Sequence, residues 1–191
     1  MKQETFVEAL TTILVKQQAI KPEDARSFKK LFHDRSDLAF EDFLLEEGLI
    51  SRTHLLNALS ELYKVPAFDV TGYFFEYRTL HEFPKDVMLR YLFIPVKLDE
   101  KHNLFEPDED MLPVIAANPA DPELLEEIGK FVSYEIQFMV GLGRDIRDAV
   151  QEFYDRAPEE FPFDDDVNRK VEETEEVEEL LHPHKPKEEE E

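Results

Sequence analysis

The feature that most constrains this chain is an apolar pattern that recurs thirty residues later within its first third. Residues 13–15 (ILV) are matched by residues 43–45 (FLL), and residues 19–21 (AIK) are matched by residues 49–51 (LIS). The match weakens further along, where Phe28 and Leu31 correspond to Ala58 and Glu61. Apolar residues in both copies follow helical spacing. The repeat therefore predicts two similar helix-turn-helix units that together form a bundle.

The sequence also indicates where these helices begin and end. Gly48 follows a predicted helix over residues 40–47, where a left-handed residue would close the last carbonyls. Ser51 is placed to cap a second helix over residues 52–63. Pro22 suits the first turn of the second helix of the first copy. The inner face of the helix over residues 52–63 is predicted to consist of Leu55, Leu56, Leu59 and Leu62.

After residue 63 the pattern changes to short apolar runs that alternate with helical segments, which is typical of a small mixed α/β domain. Asp121 is placed to cap a helix that begins at Pro122. Residues 65–70 are β-rich, and Pro66 discourages helix around them. The predicted strands are residues 92–98, 111–118 and 134–141, the predicted helices are residues 84–91, 122–132 and 144–154, and a turn is predicted at residues 99–103. The predicted fold class is α+β, with a duplicated helical bundle over residues 1–63 packed beside a mixed α/β domain over residues 64–155.

Acidic residues give the chain a formal net charge of −23, and they concentrate at its end. Residues 156–191 contain fifteen Asp and Glu against five Lys and Arg, a net of −10. So polar a segment cannot offset its ordering entropy, and we predict a disordered acidic tail. The alternative is a docking peptide on its short apolar face, formed by Val171, Val177, Leu180 and Leu181.

The bulk composition restricts the compartment and the classes of partner. Strong negative charge disfavours nucleic acid and anionic lipid surfaces as partners. The chain has no cysteine, and its N-terminus reads neither as a signal peptide nor as a membrane span. We therefore expect a cytoplasmic protein without direct membrane insertion.

The sequence contains no recognisable motif for catalysis or metal binding. Its five glycines do not have the spacing of a phosphate-binding loop. Gly141 and Gly143 form a GxG between a predicted strand and helix, for which a plain turn is the favoured interpretation. His182 and His184 lie in the tail and make a poor metal site. We predict no cofactor, no metal and no enzyme; a buried carboxyl with a raised pKa in a cleft would favour the alternative of a carboxylate-based active site.

In the order of its segments the chain resembles the N-terminal, MshEN-type domain of the assembly ATPases of type II secretion and type IV pilus machines. The resemblance covers residues 5–155 and rests on the duplicated helical unit followed by "VPAFDV", "FPKDVMLRYLFIPVKL", "IAANPADPELLEEI" and "EIQFMVGLGRDIRDAVQEFY". It implies a helical half beside an α/β half. Because no nucleotide-binding loop is present, we expect a stand-alone copy without the ATPase modules.

In some members the resemblance implies binding of cyclic di-GMP through a duplicated pattern, RLGxxLxxxGxxxxxxLxxALxxQ. In the second copy here Ala39 replaces the arginine, Glu41 replaces the first glycine and Leu62 replaces the final glutamine, whereas Leu44, Gly48, Leu55, Ala58 and Leu59 fit and Phe40 stands for the first leucine. In the first copy Ala9 replaces the arginine, Thr11 and Gln18 the glycines, and Phe32 the glutamine. Arginine supplies the charged fork that recognises phosphate and guanine. We therefore expect these degenerate positions to bind no dinucleotide, and cyclic di-GMP to be an unlikely partner.

The main functional prediction is a non-catalytic adaptor that docks onto a platform or assembly component of a secretion or pilus machine. The alternative, from a different functional class, is a cyclic di-GMP receptor domain with a degenerate binding motif.

Overall fold

The structure, a computed structural model, describes residues 3–33, 38–97 and 110–155. Within these ranges it contains eight helices and three strands. They are α1 (Gln3–Lys16), α2 (Pro22–His33), α3 (Phe40–Glu46), α4 (Arg52–Tyr63), α5 (Tyr77–His81), α6 (Lys85–Tyr91), β1 (Phe93–Pro95), β2 (Met111–Ala116), α7 (Pro122–Ile128), β3 (Glu135–Val140) and α8 (Gly143–Asp155). The predicted acidic tail, its possible docking peptide and the predicted turn at residues 99–103 lie outside the described residues. The α+β fold class is confirmed.

The thirty-residue repeat is reproduced in the backbone of the two hairpin turns. Gly48 has φ +63° and Gln18, thirty residues earlier, has φ +59°, so both lie in the left-handed region. The same pair of hydrogen bonds closes each helix, from Gly48 to Leu45 at 3.1 Å and Leu49 to Leu44 at 3.0 Å, and from Gln18 to Val15 at 3.0 Å and Ala19 to Leu14 at 2.9 Å. This is the bonding of a Schellman motif. The prediction of two similar hairpins, with Gly48 at a corner, is confirmed.

The helical hairpins bury one shared apolar core. Ser51 caps α4, since its hydroxyl oxygen accepts from the His54 backbone N–H at 3.3 Å. Pro22 opens α2 as predicted. The predicted inner face of α4 is buried at Leu55, Leu56 and Leu59 and partly buried at Leu62. Further buried members of this core are Leu10, Leu14, Phe40, Phe43, Leu44 and Ala58.

The second half is built on a three-stranded mixed sheet of order β1-β2-β3. β1 runs antiparallel to β2, and β2 runs parallel to β3. The strands predicted around residues 111–118 and 134–141 are confirmed, although both are shorter, and β1 retains only three residues of the predicted 92–98. β2 and β3 are buried at their carboxyl ends, beside the start of α8.

The β-rich stretch at residues 65–70 does not form a strand. The segment makes a single parallel bridge, between Ala67 and Val140. Pro66 has no backbone N–H with which to extend a ladder. Two residues beyond the bridge, the Asp69 carboxylate accepts from the Thr71 N–H at 3.0 Å and turns the chain away. The segment therefore borders β3 without becoming a strand.

The helices of the second half largely follow the local signals. α6 starts after Pro84, and the Asp121 carboxylate caps α7 by accepting from the Glu123 N–H at 3.0 Å. α7 ends at Ile128, four residues before the predicted end, and α8 matches the predicted helix to within one residue. The short helix α5 was not predicted from the sequence.

The carboxyl end of β3 connects the sheet to the helical core. Val140 and Leu142 are fully or nearly buried and belong to the same apolar cluster as the hairpins. Arg52 at the start of α4 pairs with Asp145 at the start of α8. Residues 1–155 group as one compact unit. The proposed division of this unit at residue 63 stays a prediction.

Candidate functional site

The two copies of the repeat place the start of the degenerate motif in different surroundings. In the first copy Ala9 and Thr11 lie in the middle of α1, a helix of fourteen residues. Thr11 is buried, and its hydroxyl donates to the Val7 carbonyl of the same helix. In the second copy Ala39 is the residue before α3 and Glu41 lies in its first turn. Only the second copy therefore presents these positions at the end of a helix.

Ala39 and Glu41 line a cavity of about 270 Å³. Four parts of the fold contribute its described lining, which consists of Gln3, Phe6, Ala39, Phe40, Glu41, Tyr63, Ala117 and Asn118. The lining residues supply two side-chain amides, one carboxyl group and the partly exposed rings of Phe6 and Tyr63, whereas Phe40 is only 2% exposed. None of these described residues is a Lys or Arg. The cavity is thus suited to a flat group with hydrogen-bonding edges rather than to an isolated phosphate.

Glu41 dominates the electrostatics of the cavity. Burial raises the pKa of its carboxyl, its own backbone N–H lowers that pKa, and the charge of Asp42 raises it. Burial, together with the nearby charge of Glu41, raises the pKa of Tyr63 to about 12. Among the described ion pairs none includes Glu41. The cavity therefore contains a partly buried carboxyl group for which the described residues provide no cation.

The arginines around the second hairpin are engaged elsewhere. Arg144 of α8 pairs with Glu46 of α3 at 3.2 Å, and burial raises the pKa of Asp42 while Arg147 and Arg144 lower it. The Arg52 guanidinium bonds to Asp69 at 2.9 Å and also to Thr71 and Asp145. Burial raises the pKa of Asp145, and the charge of Arg52 opposes that shift. The pairs Arg144–Glu46 and Arg52–Asp145 connect the second hairpin to the start of α8.

Three further motif positions, Leu44, Gly48 and Leu62, build the hairpin and do not line the cavity. Leu44 is fully buried, Gly48 makes the left-handed turn and Leu62 packs against the helical core. Sequence reasoning missed Gln3, Phe6, Tyr63, Ala117 and Asn118, because they come from separate elements that meet only in the folded chain. Of these residues, Ala117 and Asn118 lie in the stretch "IAANPADPELLEEI", which carries part of the resemblance.

Gly141 and Gly143 have a packing role that accounts for the GxG. A Cβ added at Gly141 would come within 2.6 Å of the Ile115 side chain, and one at Gly143 within 3.2 Å of the Leu92 side chain. This close approach supports the interpretation as a plain strand-to-helix turn. No cluster of His, Asp and Glu suited to a metal occurs among the described residues, and His182 and His184 lie outside them. No helix in the described ranges is both long enough and apolar enough to cross a bilayer.

The chain is similar to a protein family and to solved structures. The family model for the MshEN domain matches residues 63–160. A structure described as MshE with cdg, that is with cyclic di-GMP, matches the fold with a TM-score of 0.56 and 18% identity over 76% of this chain and 98% of that chain. Two crystal forms of the N-terminal domain of XpsE match with TM-scores of 0.49 and 0.41 at 17% identity, over 79% of this chain and 95% of that one. No curated protein sequence matches the chain significantly.

These matches correct one expectation from the sequence. The prediction that cyclic di-GMP is an unlikely partner is wrong, because the family model and the MshE structure with cdg point to this ligand for the domain. The prediction rested on the two missing arginines and on the negative charge that Glu41 puts in place of a glycine. The cavity at the same motif positions offers aromatic, amide and carboxyl groups in place of arginine.

Proposed function

The chain belongs to the MshEN domain family, and from this premise we propose that it is a non-catalytic regulatory domain that binds cyclic di-GMP through a degenerate form of the motif. The observation that carries the proposal is the cavity at Ala39 and Glu41, the first and third motif positions of the second copy. The matching fold of MshE, described with cdg, supports it. From the sequence we expected none of the motif positions to bind a dinucleotide. The proposal replaces that expectation for Ala39 and Glu41; for Leu44, Gly48 and Leu62 it stays an untested prediction.

The dimensions of the cavity suggest how such a ligand would sit. Pockets that enclose a drug-sized ligand measure about 300–1,000 Å³, whereas this cavity measures about 270 Å³. It would therefore hold one base of the dinucleotide. The phosphates and the second base would lie over the surface outside it.

The missing arginines set the expected affinity. Each charge-assisted hydrogen bond contributes roughly 1.5–3 kcal/mol, and the described lining offers no cation to the phosphates. We expect a Kd on the order of 10 µM, equivalent to about −7 kcal/mol. Base stacking on the aromatic lining would supply a large part of this free energy.

Glu41 meets one condition for a carboxylate enzyme, since its buried carboxyl has a raised pKa inside a cavity. A catalytic site also needs a second group in reach, such as a base, nucleophile or metal. The described lining contains no His, Ser, Thr, Lys or second acid. The geometry therefore supports binding better than catalysis.

Isothermal titration calorimetry of the full chain with cyclic di-GMP tests the proposal. Wild type should bind at one site, and Ala39→Arg, which restores the charged fork at the cavity, should bind at least tenfold more tightly. Asn57→Arg is the matched control, because it adds the same charge at an exposed position of α4 outside the cavity lining. Absence of saturable binding of cyclic di-GMP by wild type would refute the proposal.

The second candidate function is docking onto a component of a secretion or pilus assembly machine, in the cytoplasm. It is supported by three large apolar side chains within ten residues, Leu125, Phe131 and Tyr134, which are 53%, 40% and 44% exposed. Contiguous exposed apolar patches mark protein interaction surfaces, and the closeness of these three residues in the sequence is what supports such a patch here. A purified cytoplasmic segment of such a component should lose affinity for Leu125→Ser. Leu31→Ser is the matched control, because Leu31 is also 53% exposed and lies on α2; equal binding of both variants would exclude this surface.

A further inference from the structure

Glu41 is the only acidic residue among the described residues that line the cavity. It stands where the resembling motif has glycine, so its role cannot be taken from that motif. Phe6 and Tyr63, both partly exposed, supply aromatic surface around the same space, and Gln3 and Asn118 supply amides. Aromatic faces with a hydrogen-bonding edge form the arrangement by which proteins hold unstacked nucleic-acid bases.

We propose that the Glu41 carboxylate reads the guanine base of the bound dinucleotide and makes the cavity selective for guanine over adenine, an inference that rests on the proposed function. Guanine presents its N1–H and its 2-amino N–H side by side, and an ionised carboxylate can accept from both. Adenine presents a ring-nitrogen acceptor in place of the N1–H. That acceptor would face a carboxylate oxygen, with no proton between them.

The surroundings of Glu41 favour a ligand with two donors. Burial raises the pKa of this carboxyl, so its charge lacks full compensation in the free protein. Tyr63 carries no positive charge that could neutralise the Glu41 carboxylate, and Arg52 and Arg144 are bonded to other acids. The two guanine donors would supply charge-assisted hydrogen bonds that the protein itself does not provide.

The first copy of the repeat offers no equivalent reader. Thr11 occupies the matching position, is buried, and donates its hydroxyl within its own helix. Each chain should therefore read one guanine base through this group.

The test is titration of the full chain with cyclic di-GMP, cyclic di-AMP and cyclic di-IMP, the last of which lacks the 2-amino group. Wild type should bind cyclic di-GMP at least tenfold more tightly than either analogue. Glu41→Gln places an N–H₂ group against the guanine donors and should remove this preference. Asp42→Asn is the matched control, since Asp42 is the adjacent acid of α3 and does not line the cavity, so the preference should persist.

The outcomes separate the two proposals. Equal binding of all three ligands by wild type, or a preference that survives in Glu41→Gln, would overturn the guanine-reading role while leaving dinucleotide binding intact. Failure of wild type to bind any of the three would overturn the proposed function and this inference with it. The wild-type comparison with cyclic di-IMP decides the question even if Glu41→Gln does not fold.

Discussion

Exchanging the residues at the two left-handed turns tests the duplication on which the fold depends. Gln18 and Gly48 have φ +59° and φ +63° and close their helices with the same hydrogen bonds. Left-handed backbone costs a residue with a Cβ roughly 1–2 kcal/mol, and the greater freedom of glycine in the unfolded chain offsets about 0.5–1 kcal/mol of this. Gln18→Gly should therefore stabilise the protein by about 0.5–1 kcal/mol.

The reciprocal change, Gly48→Gln, should destabilise by a similar amount. A Cβ at Gly48 meets nothing within 4 Å, so the cost is conformational and includes no clash. The double variant Gln18→Gly/Gly48→Gln should return to the stability of wild type, because the two turns are separate sites.

Urea denaturation followed by circular dichroism measures these free energies, and thermal melts should show shifts of about 1–4 °C. Loss of stability in Gln18→Gly would refute the reasoning. It would mean that the side chain at the first turn makes a contact that outweighs its backbone strain.

Three further changes have expected outcomes of the same kind. Ser51→Ala should cost about 1 kcal/mol in urea denaturation, because it removes the α4 cap; an unchanged midpoint would show that this cap contributes nothing. Gly141→Ala should cost about 1–3 kcal/mol, because the new Cβ lies 2.6 Å from Ile115, whereas Gly129→Ala meets only ordinary contacts from 3.5 Å and should cost less. Burial raises the folded-state pKa of Glu41, so the folded state favours the protonated carboxyl and loses this stability as pH rises through that pKa. Glu41→Gln should therefore be more stable than wild type at pH 7 by about 1 kcal/mol, with the difference shrinking in acid; a constant difference across pH would contradict it.

The features that sequence reasoning predicted are those determined within a few residues. Gly48 and Ser51 act through backbone groups of their own turn, and Asp121 with Pro122 defines the start of α7 in the same way. Such signals depend little on the rest of the chain. For that reason the hairpins and the order of the other helices and strands, apart from α5, were predictable.

The features that sequence reasoning missed either depend on partners far along the chain or lack a local signal. Residues 65–70 have strand-like composition, but pairing next to β3 is limited to one bridge at Ala67. α5 has five residues and no side-chain cap, so it carries no local signal. The cavity joins Ala39 and Glu41 to Tyr63 and Asn118, and no periodicity in the sequence relates these positions.

The arrangement of positive charge predicts how salt changes the affinity for cyclic di-GMP. Arg52 and Arg144 pair with Asp145 and Glu46, and the described cavity lining contains no cation. A ligand read through its base releases few counterions on binding, whereas one gripped by arginine through its phosphates would weaken steeply as salt rises. The net charge of −23 repels an anionic dinucleotide, and salt screens that repulsion. Wild-type affinity for cyclic di-GMP should therefore stay level or rise between low and moderate ionic strength, while that of Ala39→Arg should fall. A steep decrease for wild type in calorimetry would mean that a cation outside the described cavity lining holds the phosphates, contrary to base reading by Glu41.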